Sequence, residues 1–178
     1  MPNHVRTVIK FKNLRPDAKI AILNRITRRM EDDVFPLNCV IDFDKIIPEP
    51  RTIEECPKDC IVNKDSHISI DEDRPWFDWY AWHNKYWDTK WNAYDSYVQV
   101  KPSSILFIFS TAWSPAMPIF KELSKMGYDM EIRWADEDWG SNCGKLVFKA
   151  SEHAWTEVRY AEDFKDSRRY ARDIWGKY

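Results

Sequence analysis

Apolar and polar positions alternate at the start of the chain. Val5, Thr7, Ile9 and Phe11 stand against Arg6, Val8, Lys10 and Lys12, which predicts a strand with one apolar and one mostly polar face. A helix follows: Pro16 suits a first-turn position that needs no N–H donor, Asp17 suits the positive end of the dipole, and Ile22, Leu23, Ile26 and Met30 form one stripe, with Arg28 and Arg29 in the last turn. Residues 39–47 predict a second strand, stopped by Pro48 and Pro50. Residues 48–74 carry prolines and charges without periodicity and predict an irregular excursion. Residues 105–109 are apolar on both faces, the mark of a central strand covered twice. Ser114, Pro115 and Pro118 predict a helix opened by a hydroxyl cap, with Ile119, Leu123 and Met126 turned inward and Gly127 ending it. Tyr128, Met130, Ile132 and Trp134 alternate with Asp129, Glu131 and Arg133, and a turn leads on to Leu146, Phe148 and Ala150, so a hairpin is expected there. Residues 161–175, with Phe164, Tyr170 and Ile174, predict a last helix.

This order predicts an α+β fold, a ferredoxin-like (split βαβ) antiparallel sheet with helices on one face, plus a Trp-rich helical insertion, an added C-terminal hairpin strand and a terminal helix. A length of 178 residues suits a single domain over 1–178. Its insertion spans 48–103, irregular over 48–74 and aromatic and helical over 75–98. That aromatic part holds ten Phe, Tyr and Trp residues, with Trp76, Trp79, Trp82, Trp87 and Trp91 among them. Trp76, Trp79 or Tyr80, His83, Trp87, Trp91 and Tyr94 recur at spacings of three or four, one stripe of a helix with Trp82 and Tyr86 displaced. The second face of the 105–109 strand needs cover, and this stripe is the expected lid.

Charge narrows the function. Lys and Arg number 27 against 29 Asp and Glu, a net charge of −2, which supplies no general field for duplex DNA. Local basic sets, Arg25, Arg28 and Arg29 and then Arg159, Lys165, Arg168, Arg169 and Arg172, read as solvated faces, the later set interleaved with acids. Apolar runs fall short of the roughly 20 residues that cross a bilayer, and the first residues lack a signal peptide's apolar stretch, so a cytoplasmic protein without a membrane partner is expected. Cys39, Cys56, Cys60 and Cys143 fit no zinc-ribbon spacing and, with His4, His67, His83 and His153 scattered, read as ordinary thiols, with no metal and no cofactor. The chain has four glycines and lacks a P-loop, a nucleophile elbow and a zincin helix. Asp136 and Asp138 read as solvated turn acids rather than an acid–base pair.

Four ordered motifs carry a family resemblance: Ile41-Asp-Phe-Asp-Lys-Ile-Ile-Pro48, Trp87-Asp-Thr-Lys-Trp-Asn-Ala-Tyr-Asp95, Phe109-Ser-Thr-Ala-Trp-Ser-Pro115 and Glu137-Asp-Trp-Gly140. Spread over about residues 3 to 150, they resemble the YubB-like family of phage and plasmid proteins. The resemblance implies a ferredoxin-like domain of mobile-element origin and no established enzyme activity. The chain departs from the pattern at Asp88, where the family prefers glycine in Trp-Gly-Thr-Lys-Trp.

Polar residues inside these motifs supply the candidate ligand site: Trp87, Lys90, Trp91, Asn92, Tyr94, Asp95, Trp113 and Ser114, with Asp138 and Trp139 in the hairpin turn. A helix start binds phosphate and an indole stacks a base. The same residues also suit purely structural work, with Asn92 and Asp95 holding turns, Lys90 a surface charge and Ser114 a helix cap. The expected function is a non-enzymatic phage or mobile-element inhibitor that counters host defence, either by blocking a protein surface or by sequestering a nucleotide signal. A single-stranded nucleic-acid-binding module and a hydrolase or nuclease acting on a nucleotide are the alternatives. An exposed strand edge at 128–134, or its hairpin partner, would allow a homo-oligomer.

Overall fold

A computed structural model describes residues 3–29, 39–62, 72–138, 142–159 and 164–176. The chain order is β1 (His4–Phe11), α1 (Pro16–Ile26), β2 (Thr27–Arg29), β3 (Cys39–Ile41), α2 (Trp79–Tyr86), β4 (Tyr94–Lys101) and β5 (Ser104–Ala112). After these come α3 (Met117–Ser124), β6 (Met130–Asp136), β7 (Gly144–Lys149), β8 (Ala154–Arg159) and α4 (Phe164–Trp175). The main sheet runs β4-β5-β1-β6-β7-β8, antiparallel at every pairing. Because β1 lies between β5 and β6, those two strands are parallel to each other, and β4 is parallel to β1 by the same reasoning. The units β1–α1–β4 and β5–α3–β6 are therefore two interleaved split βαβ units, the ferredoxin-like arrangement, extended beyond β6 by β7 and β8.

Strand alternation sorts the core into two layers. Val5, Ile9 and Phe11, Phe107 and Phe109, and Ile132 and Trp134 face Ile22 and Ile26 of α1 and Ile119, Phe120 and Leu123 of α3. The aromatic segment joins this same layer through Phe77, Trp82 and Trp87. Val8, Leu106, Ile108 and Ala135 face the other way, against Ala171 and Ile174 of α4. The expectation of an aromatic lid on the second face is thus corrected. Phe43 packs edge-on to both Trp87 and Phe109, at centroid distances of 5.9 and 5.6 Å, and so holds the insert beside α1 and α3. The second face is covered by α4, whose Trp175 indole donates to the carbonyls of Ala135 at 3.0 Å and Asp136 at 3.1 Å.

Four boundaries differ from the sequence reading. First, α1 stops at Ile26 because Thr27 turns extended, with φ −118° and ψ 152°, while its hydroxyl donates to the carbonyl of Leu23 at 2.7 Å. Arg28 and Arg29 therefore stand exposed on β2, and Met30 lies outside the described residues. Second, the strand expected over 39–47 contracts to β3, which pairs with β2 in a separate small sheet, and Phe43–Lys45 turns as a 3-10 helix under the Asp42 carboxylate. Third, the helix expected over 75–98 is only α2, opened by Asp78, which accepts from the N–H of Ala81 at 3.0 Å. The rest of that window bends at 87–93 and becomes β4, the second strand of the ferredoxin pattern. Fourth, β6 lies between β1 and β7, and β7 between β6 and β8, so neither the strand expected as an edge at 128–134 nor its hairpin partner is one, and among the described residues the sheet's edges are β4 and β8. Gly127 ends α3's turn at φ +74° as expected, but Ser114 does not cap that helix: Ala116 occupies the cap position and the Ser114 hydroxyl donates to the carbonyl of Asp88. Among the described residues no helix is long and apolar enough to cross a membrane.

Candidate functional site

Two neighbouring features meet at the 87–92 bend. The first is a cleft of about 410 Å³ between the segment after β3, α2 and the bend. Its floor is Trp87, buried and stacked on His83 with centroids 4.1 Å apart and planes 14° apart, its indole N–H donating to the Ile47 carbonyl at 2.9 Å. The imidazole Nδ1 lies 2.9 Å from the Lys90 carbonyl and Nε2 lies 2.6 Å from a Glu49 carboxylate oxygen. Both ring nitrogens are thus engaged within the protein. Glu49 also pairs with Arg74 at 2.6 Å. Burial pushes its carboxyl up, but the hydrogen bonds and charges of His83 and Arg74 outweigh burial and hold it below the usual carboxylate range.

The other acids of the cleft differ from one another. Asp44 is ion-paired with Arg51 and accepts from the N–H of Glu49 at 2.7 Å. Asp42, 9% exposed, accepts at one oxygen from the Asp44 N–H at 3.1 Å and from the Asn92 amide at 2.7 Å. It has no cationic partner among the described residues. Arg28 stands at the cleft, exposed, and Trp91 forms a half-buried wall.

The second feature is an aromatic ridge beyond Trp91. Lys90 places its ammonium 4.8 Å from the Trp91 ring centre and 5.7 Å from that of Trp113, and Tyr80 meets Trp113 edge-on at 6.2 Å. Trp113 is 41% exposed and sits at φ +70°. A bulky side chain in the left-handed region is destabilising by roughly 1–2 kcal/mol and needs its surroundings to hold it there. Its N–H donates to the Asn3 carbonyl at 2.9 Å and its carbonyl accepts from the Asn142 amide at 3.1 Å. Two hydrogen-bonded neighbours of this ridge, Asp88 at φ +60° and Asn142 at φ +44°, are left-handed as well. Asp88 occupies the position where the resembled pattern carries glycine, which takes that conformation freely. Thr89, 1% exposed, locks the bend to the end of β5: its hydroxyl donates to the Ala112 carbonyl and accepts from the Ala112 N–H, both at 3.0 Å.

Of the residues expected from the sequence, Trp87, Trp91 and Asn92 come together at the cleft, and Lys90, Trp91 and Trp113 at the ridge, with Ser114 beneath it. Asn92 works structurally, accepting from the N–H groups of Phe43 at 2.9 Å and Ala93 at 2.8 Å. Tyr94 stands apart: its hydroxyl meets His4 Nδ1 and donates to the Thr111 carbonyl at 3.2 Å, and burial, aided by Asp95 and Glu137, pushes it up to about 12. Asp95 is exposed, its carbonyl 3.3 Å from an Arg6 donor. Asp138 accepts from the Asn3 amide at 2.8 Å, one residue removed from the ridge, and Trp139 lies outside the described residues. Asp136, expected as a solvated turn acid, is buried, and burial pushes its carboxyl up. Burial likewise pushes the Cys60 thiol up to about 11, which leaves it a poor nucleophile. Sequence reasoning missed Asp42, Glu49, Arg74 and Thr89. Their partners lie 23 to 50 residues away, and the one local signal was an acid enclosed by Pro48 and Pro50.

Residues 86–176, half of the chain, match the family model described as the ferredoxin-like domain in Api92-like protein. The match covers the bend, the ridge tryptophan and all strands from β4 onward. No curated protein and no solved structure matches the chain.

Proposed function

For a chain that belongs to the family of the ferredoxin-like domain in Api92-like protein, we propose a non-enzymatic binding protein of YubB-like, phage or plasmid origin that counters a host defence component by occupying its surface. The observation that carries this reading is Trp113: an indole kept 41% exposed, in a conformation that disfavours it, on a backbone bonded to Asn3 and to the left-handed Asn142. Strain of this kind persists where function needs it, and tryptophan with a flanking cation is the composition of an interface hot spot. The half-buried Trp91 and Lys90 extend the grip on a rigid base, since Thr89 ties the bend to β5. A host cytoplasm is the setting this role requires.

A small nucleotide signal is the second reading, favoured by the cleft's volume, which falls within the roughly 300–1,000 Å³ of small-molecule sites. Three carboxylates along its wall oppose a phosphate. A single-stranded nucleic acid stacked on the sheet is supported less, because α4 occupies much of the free sheet face, leaving Tyr97 as that face's exposed aromatic among the described residues.

The test is phage plating on a panel of host strains that each carry one defence system. Expression of the wild-type chain is expected to restore plating on at least one strain, and Trp113→Ala to lose that restoration while remaining folded. No restoration on any strain, or full restoration by Trp113→Ala, would overturn the proposal.

A further inference from the structure

The cleft beside the ridge contains a carboxylate that the ridge does not use and shares the Trp91 indole with it. Two of its three carboxylates already hold a guanidinium: Glu49 holds that of Arg74 at 2.6 Å and Asp44 that of Arg51. The third, Asp42, is 9% exposed and has no cation among the described residues, with one oxygen engaged by two N–H donors and hydrogen bonds still open to the other. A buried carboxylate is ordinarily paired, because removing it from water without a counter-charge is unfavourable. Trp91 lines the same cleft, its ring already carrying the Lys90 ammonium 4.8 Å from its centre, and an indole is a surface on which a flat cation can lie.

We infer that this cleft receives the guanidinium of an arginine side chain presented by the protein partner, held between the Asp42 carboxylate and the Trp91 indole. The inference rests on the surface-occupying reading and names the chemistry that the partner brings. Arginine fits better than lysine because its planar head both forks onto a carboxylate and lies flat on a ring, whereas an ammonium is a strongly hydrated point charge. Arg28, exposed at the cleft and without an ion pair among the described residues, sets the sign of the test. Its charge repels an incoming guanidinium and would attract a phosphate.

The probe is Nα-acetyl-arginine amide, added to uniformly ¹⁵N-labelled protein while the indole N–H signals are followed by NMR. The inference expects a saturable shift of the Trp91 signal in the millimolar range, about tenfold weaker binding for Asp42→Asn, and tighter binding for Arg28→Ala. Asparagine keeps the acceptor oxygen that serves Asp44 and Asn92, so that variant retains its local hydrogen bonds. If it nevertheless unfolds, the Arg28→Ala comparison and a fall in affinity with added salt decide the matter alone. Equal binding of the neutral isostere Nα-acetyl-citrulline amide would overturn the inference. So would equal binding of spermidine, or a shift by AMP that Arg28→Ala abolishes. Trp113→Ala is expected to leave the probe's affinity unchanged, so full phage-plating activity in that variant with probe binding intact would count against the ridge and not the cleft.

Discussion

At Trp113 the usual ranking of small residues should invert. Truncation to alanine removes an indole that is 41% exposed. The covered remainder is roughly 150 Å², worth about 3–4 kcal/mol as an upper bound. Alanine at φ +70° keeps the left-handed strain, and glycine does not. Elsewhere in a folded chain glycine is about 0.5–1 kcal/mol less stable than alanine. Here Trp113→Gly should be more stable than Trp113→Ala by about 1 kcal/mol, a difference of a few degrees in Tm for a chain of this size. Urea denaturation followed by circular dichroism reads both variants, with the midpoint shifting and the slope unchanged. Were alanine the more stable of the two, Trp113 would not be held in an unfavourable conformation, and the argument that the fold sacrifices stability to display this indole would fail.

Trp87→Ala removes a 1% exposed indole together with its hydrogen bond to Ile47 and its stack on His83, and should lose about 4–5 kcal/mol, measured as a large fall in urea midpoint. Thr89→Val leaves the Ala112 N–H and carbonyl without their buried partner and should cost about 2–3 kcal/mol, with amide hydrogen exchange accelerated first at the end of β5. Glu49 has a folded-state pKa below its unfolded value, so its contribution is complete above the unfolded carboxylate range near 4.3 and fades as pH falls through the lower folded value. Glu49→Gln should therefore be less stable than wild type at pH 7, with the gap closing below about pH 4; a gap independent of pH would refute the charged pairing with His83 and Arg74.

The sequence made the ferredoxin pattern readable wherever a strand had neighbours on both sides. β1, β5 and the β6–β7 hairpin lie inside the sheet, and their apolar alternation or continuous apolar runs survive in the residues themselves. β4 escaped because it is an edge strand, half exposed, directly after an aromatic helix whose three- and four-residue spacing carries on through Trp91 and Tyr94. A strand of three residues such as β2 is too short for any period, and it was the β-branched Thr27 that ended α1. The ridge was half legible, since Lys90, Trp91, Trp113 and Ser114 all stood inside recognisable motifs. The cleft was not, because Glu49 and His83 are 34 residues apart and Asp42 and Asn92 are 50 apart, and only the folded bend brings them together.

The most direct measurement places a photo-crosslinking phenylalanine in place of Trp113 in one protein and in place of Ile20, a 61% exposed apolar residue on α1, in another. Both are irradiated in host cells of a strain on which expression of the wild-type chain restores phage plating. The account predicts one discrete adduct with a defence component from position 113 and none from position 20. Adducts of the same kind from both positions, or from position 20 alone, would contradict it.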